Sequence, residues 1–191
     1  MKGLMQQALG DDWEKLPPSL QAHYHQGNTS DIGHMNIDYP GFMQPYFSLL
    51  HLFGALVNRR GRQLPTVVEK SMRGERQHWR RTIRYPNGKV SRFNSFWVAA
   101  GDKQVIEFVN PIIGLQMAIQ LEDGQLHYHG VKFVVKLGSR LLPIPECLIF
   151  GHTEIVEVAT DARHFAMDYR VNHPLFGQLF RYWGKFETVR E

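Results

Sequence analysis

The sequence is poor in cysteine and has no apolar run long enough to cross a bilayer. Its 191 residues include one cysteine, Cys147, which has no partner for an internal disulfide. The longest strongly apolar stretch, Phe42 to Val57, is interrupted by Pro45 and falls short of the roughly 20 residues that a spanning helix needs. No apolar stretch follows a basic start at the N-terminus, so we expect no secretory signal. These absences favour a soluble, cytoplasmic protein.

The sequence also lacks the motifs of nucleotide-binding enzymes and of serine hydrolases. No glycine-rich phosphate loop follows a predicted strand, and the alternation of strands and helices that a Rossmann fold needs is missing. No serine lies in a Gly-x-Ser-x-Gly elbow. Cys147 lies among apolar residues, where we expect a small buried side chain. We therefore exclude a Rossmann dehydrogenase, predict no cofactor and lean against an enzyme.

Acidic residues are scarce between Arg59 and Arg92. This segment holds eleven of the 22 basic residues of the chain but only two of its 18 acidic residues, Glu69 and Glu75. Such a basic segment favours an anionic partner, such as a phospholipid surface or the head group of a ligand. A solvated outer face has the same composition, because alternation along a strand sends every second arginine outward. We do not expect a nucleic-acid partner, because the aromatic residues of the segment are better explained as core.

Short segments in which apolar residues recur at every second position fill the chain from about Pro65 onward. Turn dipeptides such as Asn87-Gly88, Gly101-Asp102 and Asp123-Gly124 separate them. This pattern predicts a mainly β, α+β fold, in which an antiparallel β-meander forms a barrel or a strongly curved half-barrel of about nine strands. The predicted strands are Thr66–Met72, Arg76–Tyr85, Lys89–Ala99, Gln104–Val109, Gly114–Glu122, Gln125–Leu137, Leu148–Ala159, His164–Val171 and Leu179–Val189.

The N-terminal third has a different pattern. Apolar residues at helical spacing predict a short amphipathic helix over Leu4–Leu16 and a second helix over Phe42–Val57. The segment His25–Tyr39 is rich in glycine, asparagine, aspartate and serine, so we predict irregular structure there. The predicted organisation is one domain over residues 1–191, with a helical or irregular segment over 1–62 that packs against an antiparallel β-sheet or barrel over 63–191.

The alternation also predicts which side chains point to the inside of the sheet. In the second predicted strand Trp79 and Arg81 share the inward face, and an inward arginine needs a partner because an unpaired buried charge is costly. One interpretation is an internal Arg–Glu or Arg–Tyr network that fixes strand register. The other is a cavity in which Arg81 anchors the carboxylate or phosphate of an apolar ligand. The candidate ligand-binding residues are Trp79, Arg81, Phe93, Trp97, Glu107, Tyr128 and Tyr182.

Two pairs of residues have the spacing of metal ligands on strands. His127 and His129 are two residues apart and so share a face, and His152 and Glu154 repeat this spacing on a later strand. The four make a plausible nitrogen and oxygen site if their strands are neighbours with aligned faces. The interpretation we favour places both histidines of the first pair outward in solvent, so no metal is predicted. The tripeptide His23–His25 lies beside a loop and is predicted to be exposed.

Several local patterns follow one another over most of the chain from about Gly41 onward. They are Leu64-Pro65, Trp79-Arg80-Arg81, Arg92-Phe93, Glu122-Asp123-Gly124-Gln125-Leu126, Leu142-Pro143-Ile144-Pro145, and His173-Pro174-Leu175-Phe176-Gly177 leading to Tyr182-Trp183-Gly184-Lys185-Phe186. In this order they resemble the uncharacterised bacterial family named domain of unknown function 4166. The resemblance implies a compact β-rich domain and implies no activity, so function has to be argued from the residues.

The function that the sequence favours is binding of an apolar or lipid-like small molecule in a β-barrel cavity. It rests on the aromatic residues of the meander, on the apolar loop Gly138–Cys147 at a predicted rim, and on the basic segment. One alternative is a cavity enzyme, a hydrolase, cyclase or isomerase, using a His/Glu/Arg set that includes Glu107 or Glu154. Another is a protein- or membrane-interaction module that uses the Arg59–Arg92 surface. The oligomeric state is left open.

Overall fold

The computed structural model describes residues 2–52, 54, 57–101 and 103–190, the last of them without its side chain. These residues form four short α-helices, two 3-10 helices (Gly10–Lys15 and Gly41–Met43) and eleven β-strands. The α-helices are α1 (Leu4–Leu9), α2 (Pro18–His23), α3 (Gln44–Leu52) and α4 (Glu146–Ile149). The strands are β1 (Thr29–Asp38), β2 (Gly61–Arg73), β3 (Arg76–Arg84), β4 (Val90–Ala99), β5 (Gln104–Phe108), β6 (Ile113–Glu122), β7 (Gln125–Leu137), β8 (Arg140–Ile144), β9 (His152–Ala159), β10 (His164–His173) and β11 (Gly177–Arg190).

Ten of the strands close into an antiparallel barrel. Hydrogen-bonded neighbours follow the order β6-β5-β4-β3-β2-β1-β11-β10-β9-β7, and β6 pairs with β7 to complete the ring. The eleventh strand, β8, pairs with β7 from Phe133 to Leu137, whereas β9 pairs with β7 from Leu126 to His129. The prediction of an antiparallel barrel with N-terminal helices packed against it is confirmed.

The first strand lies where the sequence predicted irregular structure. β1 spans most of His25–Tyr39, and Gly33 and Asn36 weaken its strand pattern because both residue types are depleted in strands. Pairing with β2 on one side and β11 on the other stabilises the extended conformation nevertheless. The segment 1–62 is therefore not wholly helical or irregular, and the described sheet has eleven strands rather than nine.

The second missed strand, β8, lies in the predicted apolar loop. Its pattern contains Pro143, which a strand tolerates here because β8 has a partner on one side only. The next segment was also mispredicted, because Leu148 belongs to helix α4 and the following strand begins at His152. Cys147 lies on α4 and is exposed, so the prediction of a buried cysteine was wrong.

The predicted helices are shorter in the structure. Leu4–Leu16 divides into α1 and a 3-10 helix, and α3 covers the first part of Phe42–Val57. Phe53, Ala55 and Leu56 of that predicted helix lie outside the described residues, as does Asp102 of a predicted turn. Within the part of the chain that the structure describes, no helix is both long and apolar enough to cross a membrane.

The two ends of the barrel differ. Because neighbouring strands alternate in direction, the β2–β3, β4–β5, β6–β7 and β9–β10 turns share one end with α1 and α2, which we call the capped end. There the backbone N–H of Lys103 donates to the oxygen of Ala8 (3.1 Å), and Met5 is fully buried. The opposite end, which we call the open end, carries α3 and α4. The hydroxyl of Tyr46 on α3 donates to the backbone oxygen of Ile149 on α4 (2.6 Å).

Two glycines allow β1 and β11 to approach closely. A Cβ atom on Gly33 would lie 2.1 Å from the backbone oxygen of Lys185, and one on Gly184 would lie 2.3 Å from that of His34. Cβ atoms do not come this close to backbone atoms, so a side chain at either position pushes the strands apart. The pairing of β1 with β11 is one of the contacts that close the ring.

We predict that Gly33→Ala lowers the free energy of unfolding by about 1–3 kcal/mol, the usual cost of overpacking. Urea denaturation followed by tryptophan fluorescence measures it. The control is Gly41→Ala, where a Cβ atom meets nothing within 4 Å and we expect a change within about 0.5 kcal/mol. Equal unfolding midpoints for Gly33→Ala and the wild type would contradict the close approach.

Candidate ligand site inside the barrel

The seven candidate residues predicted from the sequence all point into the barrel. Their strands, β3, β4, β5, β7 and β11, face one another across the interior, and alternation directs these side chains inward. Tyr128 is fully buried, and its neighbours His127 and His129 are directed outward as predicted, although both are half-buried instead of lying in solvent. The structure places the seven candidate residues inside the barrel. That they bind a ligand stays a prediction.

Arg81 on β3 pairs with Glu107 on β5, and β4 lies between these two strands. Its guanidinium donates to the carboxylate of Glu107 (Nη2–Oε1, 3.0 Å) and to the hydroxyl of Ser95 (Nη1–Oγ, 2.8 Å). Ser95 in turn donates to the same Glu107 oxygen (2.6 Å). The guanidinium also lies 5.2 Å from the ring centre of Trp79 and 5.0 Å from that of Phe93. The Arg–Glu network of the first sequence interpretation therefore forms, and the charge of Arg81 is balanced inside the barrel.

A cavity of about 270 Å³ lies between this network and the open end. Its wall is apolar apart from Glu107, Tyr169 and Tyr182. No described residue hydrogen-bonds to Oε2 of Glu107 or to the hydroxyl of Tyr182. Burial raises the pKa of Tyr182, so its hydroxyl stays protonated at neutral pH. The lining residues are Leu50, Phe93, Glu107, Val109, Ile113, Leu115, Phe133, Val135, Ile144, Ile149, Phe150, Tyr169 and Tyr182.

A second, much smaller cavity lies on the other side of the Arg81–Glu107 pair, toward the capped end. Its volume is about 30 Å³, which is room for roughly one water molecule. Trp79 and Trp97 line it, with ring centres 5.1 Å apart, and their indole N–H groups have no hydrogen-bond partner among the described residues. The Arg81–Glu107 pair and Tyr182 thus separate a roomy apolar half of the barrel from a tightly packed half.

The packed half contains a buried ionic cluster that sequence reasoning missed. Nζ of Lys70 lies 2.8 Å from Oδ2 of Asp31 and 2.9 Å from Nδ1 of His23, and it also donates to the backbone oxygen of His23. Nδ1 of His23 is 2.9 Å from the same Asp31 oxygen. All three side chains are almost completely shielded from solvent. Alternation along β2, which buries Val68 and Lys70 together, was the available signal.

A hydrogen-bonded chain of hydroxyls continues from this cluster. Tyr128 donates to the hydroxyl of Tyr24 (2.6 Å), which donates to Oε2 of Glu157 (2.6 Å). The other oxygen of Glu157 lies 3.7 Å from Nε2 of His23. The prediction that His23 and Tyr24 are exposed is therefore wrong. Leu20, His23 and Tyr24 form one buried face of α2 and its C-terminal end, and this spacing was the signal that could have found them.

Burial and charge pull the pKa values of this cluster in different directions. Burial lowers the pKa of Lys70, although Asp31 opposes the effect. Burial alone would raise the pKa of Asp31, but His23 and Lys70 outweigh it and hold that pKa well below its ordinary value. For Glu157 and Tyr128, burial dominates and raises the pKa. Asp31 is therefore ionised at neutral pH and depends on Lys70 and His23 for its stabilisation.

The chain matches the model of a known protein family. The model of a family described as a domain of unknown function (DUF4166) matches residues 16–186. The match includes strands β1 to β10, strand β11 as far as Phe186, and every residue of the Arg81 network and of the Lys70 cluster. No curated protein and no solved structure is significantly similar to the chain.

We predict that Lys70→Met lowers the free energy of unfolding by about 3–5 kcal/mol, because it leaves the Asp31 carboxylate buried without its cation. The same substitution at Lys185, which is exposed on β11, should change it by no more than about 0.5 kcal/mol. Chemical denaturation of the three proteins at pH 7 is the measurement. A Lys70→Met protein as stable as the Lys185→Met protein would show that the buried ion pair does not stabilise the fold.

Proposed function

The chain belongs to the family of domains of unknown function DUF4166, and we propose that it binds a small apolar molecule with one uncharged polar end inside its barrel. The observation that carries the proposal is the apolar cavity of about 270 Å³ with Glu107 and Tyr182 in one wall. Ligand sites are typically concave and mostly apolar, with a few polar groups that fix orientation. The volume is close to the lower end of the usual range of roughly 300–1,000 Å³, so the ligand is small.

Glu107 and Tyr182 in the cavity wall determine which polar group of a ligand fits there. Because Glu107 already neutralises Arg81, the arginine offers no unbalanced positive charge to a carboxylate or phosphate. Oε2 of Glu107 accepts a hydrogen bond, and the hydroxyl of Tyr182 can donate or accept one. A neutral hydroxyl on the ligand satisfies both groups, whereas a carboxylate meets a like charge. The proposed ligand class is therefore an apolar alcohol rather than the anionic ligand that Arg81 suggested from the sequence.

The alternative of a cavity enzyme has less support from the geometry. Glu107 pairs with Arg81 and Ser95 instead of a histidine, and Glu154 lies on the outer face of β9. The one histidine of the interior network, His23, lies beside a cavity that has room for about one water molecule. A substrate in the larger cavity is separated from it by the Arg81–Glu107 pair.

The open end also has the composition of a membrane-docking surface. Ten large apolar side chains that are at least 44% exposed lie on its connections or at the adjoining strand ends, and we call them the apolar rim. The connections at this end contain one acidic residue, Glu146, which is buried. The apolar rim consists of Phe42, Leu49, Leu52, Ile112, Leu137, Leu141, Leu142, Leu148, Leu175 and Phe176.

Basic residues accompany the apolar rim. Arg60, Arg84, Lys89, Lys136 and Arg140 are exposed at the open end. Apolar side chains flanked by lysine and arginine favour the interface of a membrane with anionic lipids, at roughly 1 kcal/mol per basic residue. We propose that the open end docks on such a surface and exchanges the apolar ligand there. The arginines of the Arg59–Arg92 segment that lie at the opposite, capped end have no part in this docking.

For the ligand, we predict saturable 1:1 binding of 1-octanol to the purified full chain, measured by isothermal titration calorimetry. Octanoate should bind at least tenfold more weakly because the Glu107 carboxylate repels it, and Glu107→Gln should reduce this discrimination. Val135→Trp, which fills the cavity, should abolish octanol binding.

The matched control is Val131→Trp, on the same strand but 45% exposed and outside the cavity wall. Thermal melting of both variants establishes that each is folded. Equal octanol affinity in folded Val135→Trp and Val131→Trp would refute binding in this cavity, and tighter binding of octanoate than of octanol would refute the proposed polar end.

For the docking surface, we predict that the chain sediments with vesicles of phosphatidylcholine and phosphatidylglycerol but not with phosphatidylcholine alone. Reversing two charges of the open end, in Arg60→Glu/Lys89→Glu, should lower vesicle binding at least tenfold. The control reverses two exposed arginines of the capped end, in Arg73→Glu/Arg76→Glu, and should bind nearly as well as the wild type. A larger loss in the control would place the membrane contact at the wrong end and overturn the proposal.

A further inference from the structure

Strand β7 changes partner halfway along its length. It pairs with β9 through His129, which lies opposite Glu154, and beyond Gly130 it pairs with β8 instead. The pairing of β7 with β6 shifts register at the same level, between Gln116 and Met117. A fork between β7 and β9 results, and His152 at the start of β9 lies beside it.

Three side chains with metal-binding atoms converge at this fork on the outer face of the barrel. One ligand atom from each of His129, His152 and Glu154 lies within 4.8 Å of the other two. The rings of His129 and His152 are nearly parallel, with centres 6.5 Å apart. His129 and Glu154 are half-buried and His152 is exposed, so a cation in solvent can reach the three side chains.

The imidazole of His152 is held by a buried carboxylate. Its Nδ1 lies 2.9 Å from Oε2 of Glu146, and the other oxygen of Glu146 accepts the backbone N–H of Thr153 (3.2 Å). Since a carboxylate accepts and does not donate, Nδ1 carries the proton and Nε2 is the nitrogen with a free lone pair. Histidines that bind metals commonly have such a carboxylate on their second nitrogen.

The neighbouring glycine makes room for this carboxylate. A Cβ atom on Gly130 would lie 1.8 Å from Oε1 of Glu146. Glu146 therefore occupies the space that a side chain would fill on β7, directly after His129. The fork, the glycine and α4 together place a buried acceptor behind one histidine of the cluster.

We propose that His129, His152 and Glu154 bind a divalent transition-metal ion, best Zn²⁺. Two imidazoles and one carboxylate are a donor set that Zn²⁺ takes, with bonds of roughly 2.0–2.2 Å, and they leave a fourth position for water. A third imidazole, that of His127, stacks on His129 with ring centres 6.4 Å apart. The site is on the outer face of the barrel and is separate from the cavity inside it.

One positive charge faces the site from the neighbouring strand. Arg170 on β10 lies opposite Glu154, but its guanidinium donates to Asp168 (Nη2–Oδ2, 2.5 Å). Glu154 makes no ion pair with any described residue, so its carboxylate remains available to a cation. Asp168 is also bound by Arg181, which leaves that carboxylate fully engaged.

The experiment uses the full chain after dialysis against a chelator, titrated with ZnCl₂ in competition with a chromophoric chelator. We expect one equivalent to bind and to raise the melting temperature. His129→Gln and Glu154→Gln should each weaken Zn²⁺ binding at least tenfold, since both remove an outer-face ligand without opening the barrel. With Co²⁺ in place of Zn²⁺, the wild type should show visible absorption bands that His129→Gln lacks.

The matched control is His34→Gln, an exposed histidine on the outer face of β1, which should bind Zn²⁺ as tightly as the wild type. Absence of a stoichiometric Zn²⁺ complex in the wild type would overturn the proposal. So would unchanged affinity in both His129→Gln and Glu154→Gln, which would place any bound ion elsewhere. Because neither variant touches the cavity, octanol binding should be the same in all of these proteins, and the two proposals therefore fail or stand separately.

Discussion

A closed barrel of this size directs every second side chain of each strand into an interior that is largely shielded from solvent, so each inward charge needs a counter-charge inside. Arg81 on β3 finds Glu107 on β5, with Ser95 between them, and Lys70 on β2 finds Asp31 on β1. These contacts bridge neighbouring or next-neighbouring strands, so they favour one register over others. These contacts also divide the interior. The buried polar groups occupy the half near the capped end, and apolar side chains line the half near the open end.

The division of the interior matches the difference between the two ends. Helices α1 and α2 cover the polar half, and α2 itself supplies His23 to the buried cluster. The apolar half faces α3 and α4, whose exposed leucines belong to the apolar rim. An apolar ligand that leaves the cavity at this end meets an apolar surface before it meets water. The proposed ligand binding and the proposed docking on a lipid surface therefore both follow from one asymmetry along the barrel axis.

Local patterns were sufficient to predict the inward residues but not the long-range pairings. The period of two is a property of each strand alone, so the seven interior residues could be assigned from sequence. β1 and β8 were missed because Gly33 and Pro143 disrupt the local pattern, while their pairing depends on distant strands. His23 was missed because the apolar spacing of α2 extends over only six residues. The partners that lie against buried His23, Asp31 on β1 and Lys70 on β2, are distant in the sequence. Sequence could propose that His129 meets Glu154 only on the condition that β7 and β9 are neighbours.

That condition is met because of the segment between β7 and β9. This segment folds back as β8 and α4, so β9 returns beside β7 over a short stretch and then parts from it. At the fork between β7 and β9, α4 places the buried Glu146 against Gly130 and behind His152. On the inside, the same helix contributes Ile149 to the wall of the larger cavity, and Phe150 follows it. An ion that joins β7 to β9 would therefore restrain the element that borders the cavity. The proposed metal site and the proposed ligand site share no residue. Both nevertheless depend on the point along β7 at which its pairing partner changes from β9 to β8.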